Sequence, residues 1–214
     1  LAGALLPAMR TPLGPLAADL PLADIGRGDR LAELDFELPM GATGPATLSD
    51  LAALLRRSLP GTDPLADYAD RLDSPGLAES TLVGYLSGSI DAVLRIPGDQ
   101  PRFLVVDYKT NMLRDPARPG IERVVQGYHP NRLATAMMDA HYPLQALLYN
   151  AALHRYLRWR LPGYDPAVHL GGVLYLFLRG MAGPATPDGC GVFSWQPPAD
   201  LIVALSDLLD GRRP

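Results

Sequence analysis

From Leu1 to about Pro45 the apolar residues follow no fixed period and are interrupted by Pro7, Pro12, Pro15, Pro21, Pro39 and Pro45, a pattern that argues against long regular elements. The stretch reads as a connecting segment. Within it, Leu31 to Leu38 alternates apolar and acidic residues and predicts a short half-buried strand. Helical spacing begins at Thr47 to Ser58, where Leu48, Leu51, Leu54 and Leu55 share a face, Thr47 or Ser49 supplies the N-cap, and Leu59-Pro60-Gly61 is the stop. Asp63-Pro64 opens a second short helix that runs to about Asp73 and ends at Ser74-Pro75-Gly76. The period then falls to two. Thr81 to Leu86, Ser89 to Ile96 and Arg102 to Tyr108 predict strands, with Pro97 to Pro101 as the loop of a hairpin between the last two. A loop-rich region, Asn111 to Pro130, precedes the longest predicted helix, Ala140 to Trp159, which has Pro143 in its first turn and Leu161-Pro162-Gly163 as its stop. Gly171 to Leu178 is an almost wholly apolar run suited to a strand covered on both faces. Leu201 to Leu209 makes a last amphipathic helix before a frayed terminus at Gly211 to Pro214. The sum is an α/β layer fold, divided into a connecting segment with two short helices (1–80) and a main domain (81–214), with no internal repeat.

Composition narrows the chemistry. A chain of 214 residues, 48% hydrophobic, can bury about 70% of its unfolded surface without staples. The single Cys190 cannot form an intrachain disulfide or supply a cysteine-ligated zinc or iron–sulfur site, which points to a reducing, cytoplasmic setting. No apolar run reaches membrane-spanning length, and Leu1 to Arg10 lacks signal-peptide order. Because residue 1 is not Met, the chain reads as a piece of a longer one. The net charge of −4 conceals an asymmetry: residues 1–80 hold 12 acidic and 6 basic side chains, whereas 102–160 hold 4 acidic and 9 basic. Only the latter stretch, which includes Arg114, Arg118, Arg123 and Arg132, is suited to meeting phosphates. Of the 19 basic residues, 18 are Arg and one is Lys109. An ammonium is a compact point charge that a planar guanidinium does not replace, so Lys109 is the first candidate for chemistry.

The apolar strand Phe103 to Val106 ends in Asp107-Tyr108-Lys109, and alternation puts Asp107 and Lys109 on one face. In the preceding strand, Ser89, Asp91, Val93 and Arg95 share a face. A hairpin centred on Asp99 places Asp91 directly opposite Asp107, with Cβ atoms about 4.5–5.5 Å apart. Carboxylates that close repel unless one is protonated or a cation lies between them. Mg²⁺ suits such a pair, since it takes hard oxygen ligands and leaves other positions to water and phosphate. With Lys109 alongside, the layout is that of metal-assisted phosphodiester hydrolysis. No glycine-rich phosphate loop ending in Gly-Lys-Ser/Thr is present, so these residues hold no ATP-driven motor.

Gly88-Ser-Ile-Asp91, Asp107-Tyr-Lys-Thr-Asn111, Gln145-Ala-Leu-Leu-Tyr149, Ala152 to Leu157 and Gly171 to Gly180 together resemble the nuclease domain of the RecB family, within the PD-(D/E)XK nuclease superfamily. The resemblance covers roughly residues 80–200, with a weaker echo at Arg30 to Leu38. It implies a restriction-endonuclease-like core: a mixed central sheet flanked by helices, preceded here by an irregular Pro-rich segment. It also implies that Asp91, Asp107 and the backbone carbonyl of Tyr108 ligate Mg²⁺, that Lys109 is catalytic, and that Gln145 and Tyr149 contact DNA beside the active site. Four apart on a helix, Gln145 and Tyr149 do share a face. The family draws a further metal ligand from an upstream histidine that nothing here matches, so that ligand is expected outside this chain. His154 and His169 fall in blocks that read as structural; His129 and His141 flank the basic loop. The implied activity is Mg²⁺-dependent cleavage of DNA in a helicase-nuclease of the exodeoxyribonuclease V type, acting in double-strand break repair and recombination. The implied partners are RecC-like and RecD-like subunits and DNA, mainly single strands from unwound duplex; ATP would serve only the motor elsewhere. Phosphate contacts from Arg114, Arg118, Arg123 and Arg132 would give little base specificity. Two other readings stand beside this one: a non-catalytic module that docks partner subunits, and a stand-alone or CRISPR-associated exonuclease. The acid, acid and lysine set argues against the first, and the lone cysteine against the four-cysteine cluster common in the second.

Overall fold

A computed structural model describes residues 2–41, 44–114, 117, 119–120 and 126–212. In chain order the regular elements are α1 (Ala2–Met9), β1 (Arg30–Pro39), β2 (Ala46–Thr47), α2 (Leu48–Ser58), α3 (Tyr68–Leu72), β3 (Thr81–Leu82), β4 (Tyr85–Ile96), β5 (Arg102–Lys109), α4 (Pro130–Asp139), α5 (Tyr142–Arg160), α6 (Pro166–His169), β6 (Leu170–Phe177), β7 (Val192–Trp195) and α7 (Ala199–Leu209), with short 3₁₀ turns between them. They form two compact units that interleave along the sequence rather than dividing it at residue 80. One takes the described residues of 1–34, 90–140 and 171–196; the other takes those of 35–89, 141–170 and 197–214.

The first unit is built on a five-stranded sheet in the order β1-β4-β5-β6-β7. β4 and β5 are antiparallel, in register from Ala92–Val106 to Ile96–Arg102, and β6 and β7 are antiparallel from Val173–Trp195 to Leu176–Val192. β5 and β6 run in the same direction. At their starts Gly171 lies against Leu104 and the Phe103 carbonyl, and just past their ends Arg179 Nε donates to the Thr110 carbonyl at 2.9 Å. The sheet is therefore mixed, and the chain belongs to the α/β class. Gly172 adopts φ +99°, and a Cβ there would come within 2.5 Å of the Trp195 carbonyl, so only glycine lets β7 close on β6 at this point.

The opening segment covers one face of this sheet. Ala8, Leu13, Ala17, Leu22 and Ile25 pack with Ala92, Leu94 and Ile96 of β4, Leu104 and Val106 of β5, and Leu174 and Leu176 of β6. The alternation read from the sequence puts those residues on one side, and Val93, Val105, Val173 and Tyr175, also buried, on the other. The Pro-rich segment thus does more than connect: its 3₁₀ turns and α1 deliver apolar residues at irregular spacing. Its predicted strand is present and extends over the ten residues of β1.

The second unit is mainly helical. α2 packs on α3 and α7, and α5 packs on α7. Thr47 and Asp50 form a reciprocal capping box at the start of α2, as the N-cap reading anticipates. Asp63 caps its own turn through the Leu65 amide, but the following helix is confined to α3, shorter than expected. Arg155 ties α5 to the end of α7 through Ser206 and Asp210, at 2.9 Å (Nε to Ser206 Oγ) and 2.6 Å (Nη2 to Asp210). His154 is buried, its Nδ1 paired with the Tyr164 hydroxyl at 2.9 Å and its Nε2 without a hydrogen bond. His169 is likewise buried and bonded to the Asp165 backbone. Both are core residues, as read from the sequence. The sequence pattern does not announce α1, β2, α4, α6 or β7; of these, α4 carries a signal in Pro130 at its first position and in Leu133 and Met137 four apart, and β7 is only four residues long. Among the described residues no helix is long and apolar enough to cross a membrane.

Burial, with Arg158 and Arg155 nearby, holds the His154 imidazole below its ordinary value of 6.5. The folded chain therefore keeps this group neutral while the unfolded chain takes up a proton below pH 6.5. Its contribution to stability is complete above that pH and falls as pH drops through it, by up to about 1.4 kcal/mol per unit. Urea unfolding from pH 8 to 5 is expected to show that decline, and His154→Gln to flatten it; an identical slope in the variant would assign the pH dependence elsewhere.

Candidate active site

The β4–β5 register matches the hairpin alternation, so Asp91 and Asp107 occupy the positions next to the Ala92–Val106 pair. Asp91 Oδ2 accepts the backbone N–H of Tyr108 at 2.8 Å. One acid thus fastens the backbone immediately after the other. Asp107 is only 3% exposed. Lys109 Nζ lies 2.6 Å from Asp107 Oδ2 and 5.2 Å from the centroid of the Tyr175 ring, so the ammonium is held between a carboxylate and a π face. Lys109 is thus the charge set against the buried Oδ2. Burial pushes the Asp107 carboxyl above the usual range; Lys109 opposes that rise and Asp91 adds to it.

A hollow of about 420 Å³ opens beside Asp91, lined by Arg30, Ala32, Glu33, Ala92 and Tyr108. Burial also raises the Tyr108 phenol. Glu33 sits in a strand with φ +54°, a backbone state that costs a non-glycine residue about 1–3 kcal/mol. Arg30 and Glu33 were not singled out as site residues; the signal available was the weak family echo at Arg30 to Leu38.

The donor set suits a hard divalent cation. Two carboxylates stand at neighbouring strand positions, near enough that the charge of Asp91 raises the buried Asp107 carboxyl, and a divalent ion would relieve that repulsion. Among the described residues no group of three or more His, Cys, Asp or Glu side chains is placed to hold a metal, so the pair Asp91 and Asp107 is what these side chains offer.

Past Lys109, the chain leaves β5 along a fixed path. The buried Tyr128 hydroxyl donates to the Asn111 carbonyl at 2.8 Å and accepts the Leu113 N–H at 3.2 Å. This loop and α4 enclose a groove of about 480 Å³ lined by Asn111, Arg114, Asn131, Arg132 and Thr135. Two of the four predicted arginines therefore share one groove. Arg118 and Arg123 lie outside the described residues. His129 is exposed and paired with Asn131, and His141 with Tyr68. Gln145 and Tyr149 belong to the helical unit, where Gln145 Nε2 donates to the Tyr149 hydroxyl at 2.9 Å. The Tyr149 ring packs edge-on against Phe36, whose ring occupies the space above Gly88.

The chain is thus an α/β protein with an acid pair and a lysine at the end of a central strand. Over an alignment of 223 positions that covers the whole chain, it is 56% identical to the RecBCD enzyme subunit RecB of Mycobacterium tuberculosis strain H37Rv and, separately, to that of Mycolicibacterium smegmatis. It is 34% identical over 190 residues, 89% of the chain, to the RecBCD enzyme subunit RecB of Escherichia coli K12. The chain belongs to the RecB family. It spans 20% of the length of the mycobacterial relatives and 14% of the Escherichia coli one. No family model matches it.

Removing the ammonium leaves the Asp107 carboxylate buried without its partner. Lys109→Met is expected to destabilise the chain by about 3 kcal/mol, and adding Asp107→Asn to recover most of that loss. A double-mutant cycle by urea unfolding reads the coupling; strictly additive losses would show that the two side chains do not depend on each other.

Proposed function

We propose that this chain carries the deoxyribonuclease site of a RecBCD-type helicase-nuclease, hydrolysing DNA phosphodiesters with Mg²⁺ in double-strand break repair and recombination in the cytoplasm. The observation that carries the proposal is the buried Asp107 carboxylate, ion-paired at 2.6 Å with the chain's sole lysine, with Asp91 on the neighbouring strand. A restriction-endonuclease-like, PD-(D/E)XK core is the reading of the sheet that agrees with this arrangement.

Asp91, Asp107 and the Tyr108 carbonyl would hold the cation. When bound, such an ion polarises a phosphate oxygen and lowers the pKa of water. Lys109, fixed by Asp107 and Tyr175, keeps a positive charge where negative charge grows as water attacks phosphorus, and it needs no reorganisation to do so. Asp91, by accepting the Tyr108 N–H, holds the end of β5 that presents Lys109. Arg114 and Arg132 would draw the strand's phosphates into their groove, and Arg118, Arg123, Gln145 and Tyr149 are assigned to DNA contact. Contacts of this kind position a strand without reading its bases. The partners are single-stranded DNA released from duplex, and RecC-like and RecD-like subunits; ATP belongs to the motor.

The test is degradation of linear single-stranded DNA in Mg²⁺ by the full-length protein and by its Asp107→Ala and Lys109→Ala forms. Each substitution is expected to lower the rate at least about a hundredfold with DNA binding retained. Unchanged cleavage in either variant contradicts the assignment, and a parent that binds DNA without cutting it favours the docking-module reading.

A further inference from the structure

We propose that Arg179 is a phosphate-binding residue of this same site; the inference rests on the nuclease reading and extends its substrate contacts to a residue on the neighbouring strand. β5 and β6 are adjacent and run the same way, so Lys109 closes one strand and Arg179 follows the end of the other by two residues. Ligand sites in parallel α/β sheets open at the carboxyl ends of the strands. Arg179 lies where such a site would form.

Its guanidinium is both placed and available. Nε donates to the carbonyl of Thr110 at 2.9 Å, the residue after Lys109, which fixes the plane of the fork and leaves the Nη1–Nη2 edge for a bidentate oxyanion contact. The side chain is exposed, and among the described residues no carboxylate pairs with it. Among the described residues its charge is therefore uncompensated, unlike that of Arg56, Arg95 or Arg155, each of which has an aspartate partner.

The support beneath Arg179 is rigid. It belongs to the 3₁₀ turn Leu178–Gly180, and Gly180 is so close to Tyr128 that a Cβ would come within 2.5 Å of that side chain. Tyr128 is also the residue whose hydroxyl holds Asn111 and Leu113, and its carbonyl accepts the Gly191 N–H at 3.0 Å. The loop leaving Lys109 is thus held by Arg179 through Thr110 and by Tyr128 through Asn111 and Leu113. A guanidinium fixed in this way loses little side-chain freedom when a phosphate arrives.

The experiment uses the full-length protein, single-stranded oligonucleotides and EDTA, so that binding is read without turnover, by fluorescence anisotropy over a range of salt. Arg179→Gln is expected to weaken binding about tenfold or more and to make the plot of log K against log salt shallower by about 0.7, the share of one phosphate on a single strand. Arg179→Lys, which keeps the charge but not the fork, is expected to keep the slope and lose part of the affinity. A scan with one methylphosphonate at a time should find a position where charge removal weakens the parent but not Arg179→Gln. An unchanged slope and an identical scan in Arg179→Gln would overturn the proposal, including where affinity falls through a loosened Thr110. Cleavage in Mg²⁺ separates this result from the parent reading. A parent that cuts while Arg179→Gln keeps the slope removes the contact alone, whereas a parent that never cuts, with the slope change present, removes the nuclease reading alone.

Discussion

A carboxylate taken out of water needs a compensating charge, and at the end of β5 the compensation comes from two residues along the same strand. Asp107 is buried, its carboxyl is raised by desolvation, and Lys109 is drawn back onto it while lying over the ring of Tyr175. That arrangement constrains what surrounds it. Both side chains must share a face, which the strand's period supplies; β6 must bring an aromatic ring alongside, which its unbroken apolar run supplies; and the backbone between the two charges must not drift, which the Asp91 contact to the Tyr108 amide prevents. The compensation is a single ammonium, set against both burial and the nearby charge of Asp91. A strained electrostatic balance of this kind is more often found where a site serves chemistry than where it serves stability.

The surroundings separate the two faces of the sheet by task. The Pro-rich opening segment fills one face with Ala8, Leu13, Ala17, Leu22 and Ile25, so the sheet is packed there without spending any charged residue. The other face carries Asp107, Lys109 and Tyr175. At the strand ends, Tyr128 and Arg179 hold the departing loop from different sides, and the groove with Arg114 and Arg132 begins where that loop does. That groove carries both arginines and Asp139.

The hairpin was legible because its loop, Pro97 to Pro101, admits one centre and the alternation on either side fixes the register; Asp91 and Asp107 followed from that arithmetic. β6 was legible from an apolar run, and α2 and α7 from helical spacing. The rest depended on partners distant in sequence. Ala8 to Ile25 follow no period because 3₁₀ turns, rather than one helix, bring them to the sheet. Arg30 and Glu33 reach Asp91 only because β1 pairs with β4. The helix after Asp63 was cut short although its cap formed, since a cap satisfies one amide and does not oblige the next turns to be helical. The DNA contact proposed for Gln145 and Tyr149 rests on resemblance; by spacing alone they are two neighbours on a helix.

The account turns on whether the Asp91 and Asp107 pair is a cation site. Isothermal titration of Mn²⁺ into the full-length protein and its Asp107→Asn form, both checked for folding, addresses this without relying on cleavage. One class of Mn²⁺ sites present in the parent and lost in Asp107→Asn is the predicted result. Indistinguishable isotherms would mean that the two acids do not hold a divalent ion, and would contradict the account at its centre.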